Sequence, residues 1–185
     1  MRSFQDRAEA APDAFIRYEY PRLLDQSRAA LARLLKAPTD TIVLVPNATT
    51  AVNTVLRGLE YQPGDVIVYP STIYGACEKT IEYLTETTPV RGAKVNFIYP
   101  VEDDWLVNEF IRVIKHEQAE GRRVRIALFD TVTSMPGCRV PFERLTRACK
   151  DLGVLSCIDG AHGVGHVPLD LGTLDPDFFT SNCHK

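Results

Sequence analysis

Short apolar runs alternate with helical patterns along this chain, and the alternation constrains the fold more than any other feature. The runs that predict strands are residues 41–45, 66–69, 94–99, 124–129 and 154–158, with a last strand beginning at Phe178. Apolar residues at helical spacing follow the first four of these runs. Because strands that alternate with helices need crossover connections, the sequence predicts an α/β domain with three αβα layers and a mostly parallel sheet.

A helical segment precedes the first predicted strand. Its leucines fall near helical spacing and predict one buried face: Leu24, Leu31, Leu34 and Leu35. No linker interrupts the remaining chain. We therefore expect an N-terminal helical segment over residues 1–40 and one large domain over residues 41–185.

Charge and hydropathy exclude several classes of partner. The 21 lysine and arginine residues are balanced by 24 aspartate and glutamate residues without a basic run, which argues against nucleic acid. No apolar run approaches the ~20 residues of a membrane span. Residues 1–11 lack the apolar core of a secretory signal. We expect no membrane partner, and a cytoplasmic location is the default expectation.

The cysteines and histidines carry no metal signature. The chain has five cysteines, an odd number without a CxxC pair, so most are expected to be buried thiols in a reducing compartment. His162 and His166 are four residues apart with no carboxylate ligand between them, and His184 is the only other histidine near them. We therefore expect no metal site.

Polar residues follow several of the predicted strands. The carboxyl ends of parallel strands meet at one edge of the sheet, which is where ligands bind in such folds. The segments expected to converge there are residues 47–50, 71–74, 131–134 and 159–162. Chemistry is expected at this edge.

Asp159 and Lys185 are the candidates with the clearest chemistry. Asp159 directly follows a predicted strand, and a carboxylate in a dry crevice needs a partner such as a pyridinium nitrogen. Taken alone, it fits a helix N-cap or a turn aspartate better. Lys185 stands 26 positions later, after an apolar strand. A desolvated amine there would serve as a nucleophile, whereas most lysines in such a position are solvated at the surface.

Two further segments have alternative interpretations. Residues 47–50 separate a strand from a helix, where free N–H groups and the helix dipole favour a phosphate. The same residues fit a simple helix N-cap, and Asn47 to Thr49 match a glycosylation sequon that would need a secretory route. Tyr74 fits either the first core residue of its helix or a ring that stacks on a flat aromatic ligand.

In this order, the residues resemble the class V aminotransferases, pyridoxal-phosphate enzymes of fold type I. The likeness rests on Asn47-Ala48-Thr49, Tyr74, Thr133-Ser134 with Gly137, Asp159-Gly160-Ala161-His162 and Asn182-Cys183-His184-Lys185. It extends from about Pro12 to Lys185. It is stronger toward the isopenicillin N epimerase-like and hercynylcysteine sulfoxide lyase branch than toward cysteine desulfurases.

The resemblance implies that pyridoxal 5'-phosphate is the cofactor, joined to the amine of Lys185, with Asp159 paired to the protonated pyridine nitrogen. The other implied contacts are Ala48, Thr49, Asn182 and His184 at the phosphate, Ser134 and His162 at the phenolic oxygen, and Tyr74 near the ring. Relatives often stack a histidine on the ring, and here Thr72 falls near that place. The position of the stacking residue in this segment is therefore defined only to within a residue or two.

Some parts of the family pattern have no counterpart in these residues. The resemblance places the small C-terminal domain and the arginine that binds the substrate carboxylate outside residues 1–185. We therefore expect an incomplete large domain, a fragment that ends at the cofactor lysine. The full-length enzyme is expected to be a homodimer.

The activity implied by the resemblance is a pyridoxal-phosphate-dependent change to a small amino-acid substrate. Lys185 would remove the α-proton, and β-elimination from a cysteine conjugate such as hercynylcysteine sulfoxide would follow, with Tyr74 as the acid for the leaving sulfur. Epimerisation and transamination are alternatives within the same chemistry. An inactive fragment is the alternative outside it. A nucleotide-binding domain is weaker, because no glycine-rich nucleotide motif follows the first strand.

Overall fold

A computed structural model describes all residues, 1–185, as two compact units. The first unit comprises residues 1–44 and 170–172, and the second comprises residues 45–169 and 173–185. None of the helices combines the length and apolar character of a membrane span.

The first unit is helical. Its elements are α1 (Arg2–Ala10), α2 (Pro12–Ala14), a π-helical turn (Phe15–Glu19), α3 (Tyr20–Leu35) and a 3₁₀ turn (Thr39–Thr41). Helix α3 buries Ala32 and Leu35. The expectation that Leu34 shares this face is wrong, because its side chain is 60% exposed. Consecutive residues lie about 100° apart around a helix, so Leu34 and Leu35 face different ways.

The second unit is an α/β domain around a parallel sheet. Its strands are β1 (Asp65–Pro70), β2 (Arg91–Val95), β3 (Arg123–Asp130), β4 (Leu155–Gly160) and β5 (Phe178–Ser181). Their order in the sheet is β2-β1-β3-β4-β5, and every pair is parallel. The predicted α/β class is therefore confirmed, with a sheet that is entirely rather than mostly parallel.

Helices cover both faces of this sheet. They are α4 (Ala48–Gly58), α5 (Gly75–Thr87), α6 (Asp103–Ala119) and α7 (Phe142–Asp151), and a short α8 (Leu171–Leu174) follows β4. One core packs strand residues such as Val66 and Phe129 with residues of α6 and α7. The other packs Ile67 and Leu128 with residues of α4 and α5. Side chains alternate between faces along a strand, so each strand contributes to both cores.

Two predicted strands differ from the structure. Residues 42–45 form no strand, and Val43 is 75% exposed, because no neighbouring strand offers a hydrogen-bonding partner for this apolar run. Strand β2 runs from Arg91 to Val95 rather than over residues 94–99. Its pairing with β1 begins at Arg91, so its extent is set by the β1 ladder and not by its own hydropathy.

Candidate active site

A cavity of ≈ 230 Å³ lies beyond the carboxyl ends of β3, β4 and β5. Its lining residues are Asn47, Ala48, Thr49, Tyr74, Asp130, Ser134, Asp159, Ala161, His162, Asn182, His184 and Lys185. Each of the four segments expected to converge contributes to this lining. The structure thus brings all nine predicted site residues to one pocket, and the roles predicted for them remain to be tested.

Asp159 lies at the base of the pocket, inside β4, and is 3% exposed. Its Oδ1 accepts a hydrogen bond from the Ala161 N–H at 3.0 Å, and its Oδ2 lies 3.7 Å from the Cys77 Sγ, which donates to it. Burial raises the pKa of Asp159, and these two donors and the charge of Lys185 offset part of that rise. The bond to Ala161 is that of a turn aspartate, but the carboxyl also faces the pocket.

Lys185 lines the same pocket and is exposed. Its position after β5 brings a cation close enough to Asp159 to lower the pKa of that carboxyl. The amine therefore lies where a molecule in the pocket would meet both groups. Desolvation of the amine, which a nucleophilic lysine needs, would come from such a molecule.

The beginning of α4 forms another wall of the pocket. Asn47 caps this helix, since its side-chain oxygen accepts a hydrogen bond of 2.8 Å from the Thr50 N–H. The Ala48 N–H donates to Asn182 Oδ1 at 2.9 Å. Ala48 and Asn182, both expected to contact a phosphate, therefore bond to each other across the pocket wall. Thr49 lines the pocket in the first turn of the helix.

Tyr74 occupies the N-cap position of α5 and is 47% exposed. The interpretation of Tyr74 as a core residue of this helix is therefore wrong, whereas Cys77 and Ile81 do lie in the core. Tyr74 precedes the first turn of the helix and lines the pocket.

Three more predicted residues complete the rim. Ser134 and His184 are exposed, and His162 is half-buried. All three line the pocket. They come from the loop after β3, the turn after β4 and the segment after β5, which are the positions where a parallel sheet collects polar groups.

Sequence reasoning missed two residues of this site. Asp130 ends β3 and pairs in register with Asp159, and it lines the pocket while 4% exposed. Cys77 is fully buried in α5 and touches Asp159. A signal existed for Asp130, because an aspartate ending an apolar strand repeats the pattern recognised at Asp159. Cys77 carries no such signal, since a buried cysteine at helical spacing is typical of a core.

Comparisons with known proteins identify a family and a set of similar chains. A family profile described as Aminotransferase class-V matches residues 17–185. An L-cysteine desulfhydrase-like protein of Epichloe uncinata is 38% identical over 185 residues, which cover 100% of this chain and 41% of the relative. The hercynylcysteine sulfoxide lyase of Schizosaccharomyces pombe is 27% identical over 178 residues, covering 96% of this chain and 44% of that protein. The chain thus spans about 40% of the length of the relatives it matches.

Solved structures show the same fold. A structure of C-DES, with glycine covalently linked to its PLP cofactor, matches with a TM-score of 0.86 at 19% identity. The match covers 99% of this chain and 48% of that chain. The fold-type I architecture expected for the large domain is therefore confirmed.

Proposed function

Because the chain belongs to the class V aminotransferase family, we propose that it forms the cofactor site of a pyridoxal-phosphate-dependent enzyme that cleaves a C–S bond in a cysteine derivative. The observation that carries the proposal is the joint presence of Asp159, Lys185 and the first turn of α4 in one pocket. The family resemblance read from the sequence is confirmed by the profile match. The activity itself is our proposal.

The residues of the pocket fit pyridoxal 5'-phosphate. A buried carboxyl at the base suits a protonated ring nitrogen, since burial makes the Asp159 charge costly without a cationic or donor partner. The amino end of an eleven-residue helix suits a phosphate, because its N–H groups and dipole favour an anion. The amine of Lys185 suits the aldehyde carbon. When bound, the cofactor supplies an electron sink for the bond broken at the substrate's α-carbon.

Asp159 would act on the ring nitrogen. Its carboxylate would accept a hydrogen bond from the protonated ring nitrogen, and the donors Ala161 and Cys77 hold the carboxylate in orientation. Around the rim, Thr49 and His184 would orient the phosphate. The Ala48 N–H, which donates to Asn182 Oδ1, would also donate to the phosphate, and the Asn182 side-chain N–H groups would donate to it as well. Ser134 and His162 would donate to the phenolic oxygen, which completes the cofactor contacts.

Lys185 and Tyr74 would move protons on the substrate. The Lys185 amine would take the α-proton as a general base. Tyr74 is half-exposed at the pocket and would donate a proton to the leaving sulfur. For a cysteine conjugate, cleavage of the C–S bond followed by hydrolysis with one water would yield a sulfur compound, pyruvate and ammonia. Both relatives described above have names that refer to cysteine compounds, and hercynylcysteine sulfoxide is a candidate substrate within this class.

Cofactor binding is tested by absorption spectroscopy. Addition of pyridoxal phosphate to the purified protein should give the visible band of a lysine-bound cofactor, and Lys185→Ala should lose it. Lys115→Ala removes an exposed lysine of α6 and should keep the band. A band that survives in Lys185→Ala, or that is lost in Lys115→Ala as well, would argue against the assigned lysine.

Product analysis separates the reaction types. We expect pyruvate from full-length protein supplied with cysteine conjugates. Inverted substrate without a keto acid would support the epimerase alternative, and a keto acid that retains the sulfur group would support an aminotransferase. A chain that binds no cofactor would instead support an inactive fragment. Homodimer formation and a cytoplasmic location remain proposals that rest on the resemblance and on composition.

A further inference from the structure

Asp130 and Asp159 occupy paired positions on neighbouring strands, and both line the pocket. Asp130 ends β3 and pairs in register with Asp159 of β4. Neighbouring strands are about 4.8 Å apart, and paired residues project from the same face of the sheet. The Thr131 N–H donates to the Asp159 carbonyl oxygen at 3.0 Å, so the two strands remain hydrogen-bonded at this level. Both carboxyl groups line the pocket.

The two groups have unequal surroundings. Asp159 accepts hydrogen bonds from Ala161 and Cys77 and lies near the charge of Lys185. Asp130 is 4% exposed, its Oδ2 is buried and accepts no hydrogen bond, and it forms no ion pair. Burial opposes ionisation at both residues, but the donors and the nearby cation offset part of that cost at Asp159 and none of it at Asp130.

No other group near Asp130 compensates a second negative charge. Cys77 of α5 and Tyr99, in the segment after β2, both feel its charge, and burial raises the pKa of each to about 12. Both are neutral donors at neutral pH. The charges of Lys185 and His162 act on Asp159 and not on Asp130. Burial and the Asp159 charge together raise the pKa of Asp130 well above its ordinary value.

We propose that Asp130 is a positioning residue that keeps its proton at neutral pH and donates it in a hydrogen bond to the Asp159 carboxylate. The pocket base then carries one negative charge instead of two. In this arrangement the hydrogen bond from Asp130 lowers the pKa of Asp159. It thereby also affects the pKa of any ring nitrogen that Asp159 binds. The arrangement is a property of the protein without cofactor and stands independently of the proposed function.

The experiment is a ¹³C NMR titration of protein labelled at the aspartate carboxyl carbons, without cofactor. The Asp130 signal is assigned by its loss in Asp130→Asn, and the Asp159 signal by its loss in Asp159→Asn. In the wild type, Asp130 should titrate well above the exposed aspartates. In Asp159→Asn, it should titrate at least about one pH unit lower, because the neighbouring charge is gone. Titration of Asp130 among the exposed aspartates, or no change in Asp159→Asn, would overturn the proposal.

A pair of variants tests the hydrogen bond itself. Asp130→Asn keeps a donor of the same shape, and Asp130→Leu fills the space without one. The pKa of Asp159 should stay near the wild-type value in Asp130→Asn and rise in Asp130→Leu. Equal pKa values in the two variants would contradict the positioning role. Asp151→Asn, at an exposed site on α7, should leave both titrations unchanged.

Unfolding equilibria give a second measurement if any variant is hard to assign. The raised folded pKa of Asp130 means that its stabilisation is lost as the pH rises. Above about pH 4, the unfolding equilibrium constant of the wild type should therefore increase up to tenfold per pH unit relative to Asp130→Asn. A ratio that does not vary with pH would contradict a retained proton. Since none of these measurements uses cofactor, their failure would leave the absorption test of Lys185 unaffected.

Discussion

Asn182 shows how one side chain ties the end of the sheet to the start of a helix. Its Oδ1 accepts a hydrogen bond from the Ala48 N–H, and both residues are buried. The first N–H groups of a helix have no partner within the helix, so this one depends on Asn182. A buried donor without an acceptor costs about 1–3 kcal/mol.

Asn182→Ala should therefore lower the free energy of unfolding by about 1–3 kcal/mol, measured by urea denaturation. Asn182→Asp keeps an acceptor at the amino end of a helix and should be destabilised less. Equal unfolding midpoints for the wild type and Asn182→Ala would show that the bond contributes nothing. If the phosphate contact proposed above is correct, Asn182→Ala should also weaken cofactor binding.

The Cys77 thiol of α5 donates a hydrogen bond to the Asp159 carboxylate. Burial and the charge of Asp159 raise the pKa of this thiol to about 12, so it keeps its proton at neutral pH. A donor to a carboxylate favours the charged form.

Cys77→Ala should therefore raise the pKa of Asp159, and Cys77→Ser, which keeps a donor, should stay closer to the wild type. The same carboxyl titration measures both variants. Cys149→Ala is the matched control, because it removes another buried helical thiol, from α7 on the opposite face of the sheet. A rise of similar size in Cys149→Ala would indicate general loosening and not a lost hydrogen bond.

At the scale of elements, the contact between β4 and β5 determines the shape of the pocket. Gly160 ends β4, and a Cβ atom there would lie 2.7 Å from the Thr180 carbonyl oxygen and against the Phe179 ring. The backbone oxygen cannot move aside without separation of the two strands. Glycine is therefore required by close approach at this position, which lies between Asp159 and Ala161.

Gly160→Ala should destabilise the protein by about 1–3 kcal/mol, as overpacking does in other cores. Gly58→Ala, at the end of α4, places its Cβ in open space and should be neutral or slightly stabilising. Thermal melting of the two variants provides the comparison. A Gly160→Ala variant that melts with the wild type would mean that β5 is not held closely against β4.

The elements also show which parts of the fold could be predicted from sequence. Periodicity predicted the long helices and four of the five strands near their observed positions, because burial on both faces leaves an apolar run in each strand. Residues 42–45 have the same composition but form no strand. A strand needs a neighbour, and pairing is a property of the assembled sheet that local hydropathy does not record.

Four of the segments that line the pocket followed from one topological argument. Parallel strands bring their carboxyl ends to the same edge, and that rule located Asn47, Tyr74, Ser134 and Asp159 together. The rule does not say which strands are neighbours. Asp130 carries the same strand-end signal as Asp159, but its place beside Asp159 depends on the register of the sheet, which only the structure shows.

Across the whole molecule, the two ends of the sheet carry carboxyl groups with opposite acid–base behaviour. At the amino end, Asp65 of β1 accepts two hydrogen bonds of 2.7 Å from Arg123 of β3, which lower its pKa. At the carboxyl end, burial raises the pKa of Asp130 and Asp159. A carboxyl group whose pKa is lowered by folding stabilises the folded state above its unfolded pKa of about 3.9, and this stabilisation is lost as the pH falls. A carboxyl group whose pKa is raised by folding stabilises the folded state at low pH, and this stabilisation is lost as the pH rises.

Asp65→Asn should therefore be destabilised at neutral pH, and its deficit from the wild type should shrink below about pH 4. Urea unfolding from about pH 3 to about pH 7 measures this difference. Asp151→Asn, on exposed α7, should show no deficit at any of these pH values. A deficit of Asp65→Asn that stays constant as the pH falls would mean that lost packing, and not the ion pair, causes it.

The walls of the pocket come from Asn47 at one end of the second unit and Lys185 at the other. During synthesis on the ribosome, the first wall emerges well before the last strand and the amine exist. Under the proposed function, a nascent chain without β5 would also lack Asn182 and Lys185 at the pocket, and would have no amine there to hold the cofactor. The colour of the bound cofactor would then report that β5 has joined the sheet.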